Sequence, residues 1–418
     1  MIKQLLFDKK KKRLTGEVVL PASKSISNRL LIIKYLSGSK AKIENLSDAD
    51  DTKLLAQLIK KLEKHKDFSF DAGNAGTVMR FATALLSVID GSYTLTASER
   101  MKKRPVSALV DALRELGAQI SYANEEGMPP LLIRGKKLKH NTIHIDASES
   151  SQFISALLLI APLIEGGLEI IPSGKPVSRP YIAMTEALMR EAGIDITDSY
   201  EGILVKEDPY RFEGKKVEAD WSAAAFFYEM LSLADEGEFF LKGLEENSLQ
   251  GDAVIAGLFD YLGVKTLYEP EGVRIIKTGE AKKNIRVDFN DHPDLALPYI
   301  VSCAALDVIG TFTGLENLRI KESDRLEALS EGLAKFDYDF RETGFGEWVL
   351  INSCRSDKSK NTPGQNIVIQ TFNDHRVAMA FAPMVLKTGK LAIENPDVVE
   401  KSFPEFWLYF DEIINKQV

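Results

Sequence analysis

Six times along the chain a short polar cluster runs directly into an apolar, Ala- and Leu-rich stretch of helical length. The clusters are Ser23-Lys24-Ser25 through Arg29, Asn74-Ala75-Gly76-Thr77, Ser150-Ser151-Gln152, Asp220-Trp221-Ser222, Asp291 through Asp294, and Asn373-Asp374-His375-Arg376. The stretches that follow end near Leu36, Leu86, Ile164, Leu233, Leu306 and Leu386. Helices that are hydrophobic nearly all round must be buried. Their first N–H groups lack intrahelical partners and carry partial positive charge. Buried helices whose N-termini converge on a cleft would bind anions, and several clusters add Lys or Arg. The pattern predicts an enzyme acting on phosphorylated or carboxylated small molecules.

A second set of segments interleaves with the first. Residues 54–64, 109–117, 184–193, 254–263 and 329–336 place apolar positions at helical spacing with charges between them, and three of the five end in Gly. Short β-like runs follow at 119–122, 195–197, 265–268 and 338–341. Each unit therefore reads as a buried helix, a strand, an amphipathic helix and further strands. Repetition at this period predicts an α/β (α+β) chain with two similar domains of three units each. Three buried helices precede residue 218 and three follow it. Residues 207–216, with Pro209 and Gly214, read as a surface connection near that boundary, and 356–365 as an exposed loop.

A chain of 418 residues is too long for one ordinary core, which agrees with two domains. With 44% hydrophobic and 27% charged residues it has the composition of a soluble globular protein. The net charge of -8 argues against nucleic acid as a partner, without excluding a local basic cleft. Cys303 and Cys354 make no disulfide framework, and a reducing cytoplasm fits best. No apolar signal segment opens the chain, and its basic run at 9–13 reads as a solvated turn between strands. The most lipid-like stretch, 153–164, contains Ser155 and Pro162 and is shorter than the roughly 18 residues of a spanning helix, so no membrane partner is expected.

Candidate chemistry sits at the helix heads. Lys24 and Arg29, among three Ser hydroxyls, are suited to grip phosphate or carboxylate; alone, the segment reads equally as a Ser-rich N-cap. Asn74-Ala75-Gly76-Thr77 is a backbone-exposing turn before the helix holding Arg80, or simply a capped start. Arg319 through Arg325 carries five charged residues in seven; these make either a salt-bridged helix face or a set for proton transfer beside an anion. His375 lies between Asp374 and Arg376, which sets it apart from an ordinary core histidine.

Together these motifs resemble the 5-enolpyruvylshikimate-3-phosphate synthase family. The matching stretches are Lys24 to Arg29, Asn74 to Arg80, Arg104-Pro105, Ser150 to Phe153, Ser178 with Pro180-Tyr181-Ile182, Pro293-Asp294, Lys321 to Arg325, Asn373 to Met379 and Lys401 to Pro404. The resemblance implies transfer of the enolpyruvyl group of phosphoenolpyruvate to the 5-hydroxyl of shikimate 3-phosphate, releasing phosphate through a tetrahedral intermediate. It also implies a fold of two domains, each of three βαβαββ units, with the active site in the interdomain cleft. One domain would span 21–218, and the other would combine 1–20 with 219–418. A cytoplasmic monomer without cofactor or metal is implied, closing on its substrates.

By the same resemblance, Lys24, Ser25, Arg29, Ser150, Ser151, Gln152, Ser178 and Tyr181 bind shikimate 3-phosphate, joined by Asp294, Asn317 and Lys321. Lys24, Gly76, Arg104, Gln152, Arg325, Arg376 and Lys401 face phosphoenolpyruvate. Asp294 is the candidate base toward the attacking hydroxyl. Glu322, with Lys24, would protonate the methylene carbon. Glyphosate is expected in the phosphoenolpyruvate site, with Gly76→Ala weakening it. The chain departs from the family's pattern at Ala22, Phe81, Asp337 and the run Ala219-Asp220-Trp221-Ser222.

The rival enolpyruvyl transferase family acting on UDP-N-acetylglucosamine commonly uses a loop Cys in its N-terminal part, and this chain has none before Cys303. A nucleic-acid-end enzyme on related repeats would show salt-dependent RNA binding. A non-catalytic binding paralogue would not need every charged group that is present.

Overall fold

The computed structural model describes residues 1–139, 142–148, 150–174, 176–352 and 367–416. Cys354 and the loop expected at 356–365 lie outside the described residues. The chain divides into two compact units, Ser23–Val217 and the combination of Met1–Ala22 with Glu218–Val418.

Four groups of segments build one and the same supersecondary unit. In Ser23–Val217, strand Asp67–Asp71, helix Gly76–Val88, strand Gly91–Thr96, helix Ser107–Glu115 and strands Gln119–Tyr122 and Leu131–Gly135 make one four-stranded sheet. The first two strands run parallel, with Asp67 beside Ser92, and the last two continue antiparallel. Parallel pairing requires a crossover, which the apolar helix supplies. The pattern recurs from Thr142–Asp146 through helix Ser151–Ile160 to strand Ile203–Val205.

In the other unit it recurs from Asn284–Asp288 through helix Ala296–Ala305 to Glu347–Asn352. A further copy borrows its first strand, Arg13–Val19, from before the chain leaves this unit; that strand pairs in parallel with Glu236–Lys242 beyond helix Trp221–Leu233.

The expected third βαβαββ unit of each domain is curtailed. Ile43–Glu44 pairs only with Lys215–Lys216, because 39–49 is rich in Ser, Lys, Asn and Asp and has little β-propensity. At the other end, Val368–Ile369, Lys390–Glu394 and Ile2–Leu6 form a three-stranded sheet. Asn395, at φ 46°, then turns the chain into the 3-10 helix Pro396–Lys401 instead of a hairpin.

The six apolar segments are buried helices, and two of them break where proline removes a backbone donor. Ser151–Ile160 gives way to a 3-10 turn at Pro162, and His375–Phe381 to one at Pro383. In Glu218–Val418 an aromatic chain ties these helices to the sheets. Phe259 meets Tyr299 edge-on at 5.4 Å between centroids, and Tyr299 meets Phe289 at 5.8 Å. Each such pair adds about 0.5–1.5 kcal/mol beyond burial.

Residues 207–216 are less of a surface connection than their composition suggested. Tyr210 and Phe212 are buried, and the Tyr210 hydroxyl donates to the Leu159 carbonyl at 2.9 Å. Aromatic side chains outweigh the charges around them. The basic turn at 9–13 does join two strands, and Lys11 Nζ also caps the C-terminal helix, donating to the Ile413 carbonyl at 2.9 Å.

Candidate active site

Three of the apolar helices hide nearly all their residues but leave the second one partly exposed. In Gly76–Val88 the second residue, Thr77, stays partly exposed; in Ser151–Ile160 it is Gln152, and in Trp221–Leu233 it is Ser222. Lys24 and Ser25 open the Lys24–Ser37 helix in the same way. Local chemistry sets these starts. Ser150 accepts from the Gln152 N–H at 3.2 Å, Asp220 from Ser222 at 2.8 Å, and Asp374 from Arg376 at 2.9 Å. Ala75 offers no side-chain cap to the Gly76–Val88 helix.

In Ser23–Val217 the predicted residues fall into linked groups. Gln152 Nε2 donates to Thr77 Oγ1 at 3.4 Å, bringing two helix heads together. A Cβ placed on Gly76 would lie 3.0 Å from Arg80 Nη1 and 3.1 Å from Arg104 Nη1, so Gly76 and Arg104 share one small space. Lys24 pairs with Asp51 at 3.2 Å.

Arg29 is tied into its own unit by hydrogen bonds. It is buried, and its guanidinium donates to Thr185 Oγ1 at 2.6 Å, Ser155 Oγ at 3.2 Å and the carbonyls of Ser25 and Tyr181 at 2.9 and 3.0 Å. Burial pulls its pKa down to about 10. In this state Arg29 acts first as a clamp that locates Ser25 and Tyr181. Ser178, just before helix Arg179–Glu191, holds a left-handed φ of 54°.

In Glu218–Val418 the predicted residues form one ion-pair network. Arg325, on the first turn of helix Arg325–Ala334, reaches Asp294 at 3.2 Å, Glu322 at 3.0 Å and Asp374 at 2.8 Å. Arg376 holds the other oxygen of Asp294 at 2.9 Å, and Lys401 holds the other oxygen of Glu322 at 2.7 Å. Burial works against the Arg325 charge, but the three carboxylates raise its pKa above the usual arginine value. Burial would likewise raise Asp374, and Arg325 reverses this and keeps the carboxyl below its ordinary range. Asn317 lies in the 3-10 helix Glu316–Ile320, and Lys321 directly follows it, one residue before Glu322.

Sequence reasoning assigned no role to Asp374, which anchors Arg325 from below and receives the Ser323 hydroxyl at 3.1 Å. Its place in Asn373-Asp374-His375-Arg376 was visible, but its complete burial was not. His375, in the same cluster, is a buried histidine whose pKa burial drives well below its usual value.

Each unit of a duplicated α/β framework thus carries its own cluster of cations and polar or acidic groups, and comparison with known proteins gives the chain a family. The family model for EPSP synthase (3-phosphoshikimate 1-carboxyvinyltransferase) matches residues 9–409. The chain belongs to the EPSP synthase family.

A 3-phosphoshikimate 1-carboxyvinyltransferase from Bacteroides fragilis (strain YCH46) is 42% identical over 402 residues, covering 94% of this chain and 94% of its own length. One from Vibrio vulnificus (strain YJ016) is 36% identical over 431 residues, covering 96% of each. Among solved structures, EPSP synthase from Acinetobacter baumannii superposes with a TM-score of 0.77 over 98% of this chain and 97% of that one; at 23% identity this speaks for the fold.

The departures from the EPSP synthase pattern have structural counterparts. Phe81 lies beneath Arg29, with the guanidinium carbon 5.4 Å from the ring centroid. Ala22 and Ala219 face each other in an antiparallel bridge where the chain leaves and rejoins its unit. Asp337 adopts φ 65°, the left-handed conformation that glycine takes without strain.

Proposed function

We infer that the protein is a working 3-phosphoshikimate 1-carboxyvinyltransferase. It transfers the enolpyruvyl group of phosphoenolpyruvate to the 5-hydroxyl of shikimate 3-phosphate, in the pathway to aromatic amino acids. The observation that carries the reading is the network of Asp294 and Glu322 with Arg325, Arg376 and Lys401.

Phosphoenolpyruvate brings a carboxylate and a phosphate, which call for several cations. Arg325, Arg376 and Lys401 supply them on one unit, with Lys24, Gly76, Arg104 and Gln152 on the other. Shikimate 3-phosphate takes Lys24, Ser25, Arg29, Ser150, Ser151, Gln152, Ser178 and Tyr181, with Asp294, Asn317 and Lys321. The domains doing this work are 21–218 and the combination of 1–20 with 219–418, acting as a cytoplasmic monomer. Among the described residues no helix is long and apolar enough to cross a membrane.

The ion pairs suggest how donor binding readies the acid–base groups. Asp294 and Glu322 neutralise the cations before substrate arrives. An incoming anion competes for Arg376 and Lys401, and a carboxylate that loses a cation gains proton affinity. Asp374 keeps Arg325 in place meanwhile. Asp294 then takes the proton of the attacking hydroxyl while Glu322, with Lys24, protonates the methylene carbon. The reverse proton flow expels phosphate from the tetrahedral intermediate. The cations stabilise charge through both steps.

Asp294→Asn and Glu322→Gln should each lower kcat by about 10²–10⁴-fold, measured as enolpyruvyl product formed at saturating substrates. An unchanged kcat in either variant removes that carboxylate from the proton path.

A further inference from the structure

A carboxyl outside the network lies within ion-pair reach of His292, two residues before Asp294. Asp252, in the 3-10 helix Gly251–Val254, is 3% exposed. The Ser222 hydroxyl donates to its Oδ2 from the head of helix Trp221–Leu233. Its Oδ1 has no hydrogen-bond partner among the described residues. The basic group within ion-pair reach is His292, whose Nδ1 lies 3.9 Å away and is also without a hydrogen-bond partner. His292 stands two residues before Asp294.

A buried carboxylate serving only the fold would normally have both oxygens satisfied. Asp252 has one oxygen satisfied and faces further charge from each neighbouring element. Asp294 and Asp220 push toward its neutral form, and Arg376 toward its ionised form. Asp291 and Asp288 act on His292, which burial keeps below its ordinary pKa. Asp252 and Asp294 thus lie in the field of the same guanidinium, but Asp294 is ion-paired to it and Asp252 is not. Burial first, and Asp294 second, push Asp252 up to about 7.

We propose that Asp252 is a positioning residue for proton transfer at Asp294. Its buried carboxyl, anchored by Ser222 and open toward His292, gains and loses a proton of its own and so sets how firmly Asp294 holds the proton taken from the attacking hydroxyl. Ionised Asp252 places a second negative charge near Asp294 and strengthens it as a base; neutral Asp252 removes that charge. His292, with its side chain 21% exposed, gives the pair a route for proton exchange with solvent. The inference rests on the reading of Asp294 as the base.

The test is kcat against pH for the full-length enzyme and its Asp252→Asn, Ser222→Ala and Asp294→Asn variants, with shikimate 3-phosphate affinity measured by calorimetry. The wild-type kcat should rise through a step near neutrality. Asp252→Asn, a fixed neutral isostere, should lack the step and stay at the low plateau, about tenfold or more below wild type above it, with shikimate 3-phosphate affinity kept. Ser222→Ala should move the step to higher pH, because the hydroxyl favours the ionised carboxyl.

A neutral step that persists in Asp252→Asn, or loss of shikimate 3-phosphate binding in that variant, would overturn the inference. If Asp294→Asn is inactive while Asp252→Asn keeps the wild-type profile, only the role of Asp252 falls. Full activity in Asp294→Asn would remove both readings.

Discussion

At the scale of single residues, the site is a matter of how closely charged groups approach a bare backbone. Gly76 has room for a hydrogen and little more, because an added methyl would meet the ends of Arg80 and Arg104. Gly76→Ala should therefore push Arg104 aside, raising KM for phosphoenolpyruvate and weakening inhibition by glyphosate while leaving the affinity for shikimate 3-phosphate nearly unchanged. Equal KM and inhibition constants in mutant and wild type would show that this contact does not bound the donor site. The charged motifs were legible because Lys, Arg and carboxylates recur at helix heads. Asp252 was not, since a lone acid after Gln250-Gly251 carries no spacing signal and meets Ser222 and His292 only in the folded chain. Arg29 adds a second role that its motif does not announce: its guanidinium also donates to Thr185, Ser155 and the Tyr181 carbonyl.

At the scale of elements, hydrophobicity located all six buried helices but not their ends. Four of the five amphipathic helices begin earlier than apolar spacing indicates, as with Asp50–Leu62 against an expected 54–64. Asp50 and Asp51 suit a helix N-terminus electrostatically and leave no trace in a hydrophobic pattern.

One buried helix carries a cost unrelated to the site. Glu229, in Trp221–Leu233, is fully buried, and neither carboxyl oxygen has a hydrogen-bond partner among the described residues. Burial raises its pKa well above the ordinary value. The folded protein thus keeps a proton that the unfolded chain releases above about pH 4.3, and stability falls as pH rises through that range. Glu229→Leu should be more stable by about 1–3 kcal/mol near pH 5, and its advantage should grow toward pH 8. Chemical denaturation at the two pH values measures this, and a variant less stable at both would mean that Glu229 contributes favourable contacts.

At the scale of the whole molecule, duplication gives each unit its own set of helix heads. The chain leaves Met1–Ala22 for the other unit and returns at Glu218, so Ser23–Val217 is complete before most of the discontinuous unit has begun. The repeat period made this organisation readable, while the curtailed third groups depended on strands only two residues long. If shikimate 3-phosphate uses residues from both units, its binding should slow amide hydrogen exchange in the Lys24–Ser37 helix and around Asp294 alike. Protection confined to one unit would assign the ligand to that unit alone.

The most direct test of the account is release of inorganic phosphate from phosphoenolpyruvate, with and without shikimate 3-phosphate, in wild type and Asp294→Asn. Enolpyruvyl transfer predicts release that needs both substrates and is nearly lost in the variant. Release without shikimate 3-phosphate, or no release despite tight binding of it, would contradict the proposed reaction.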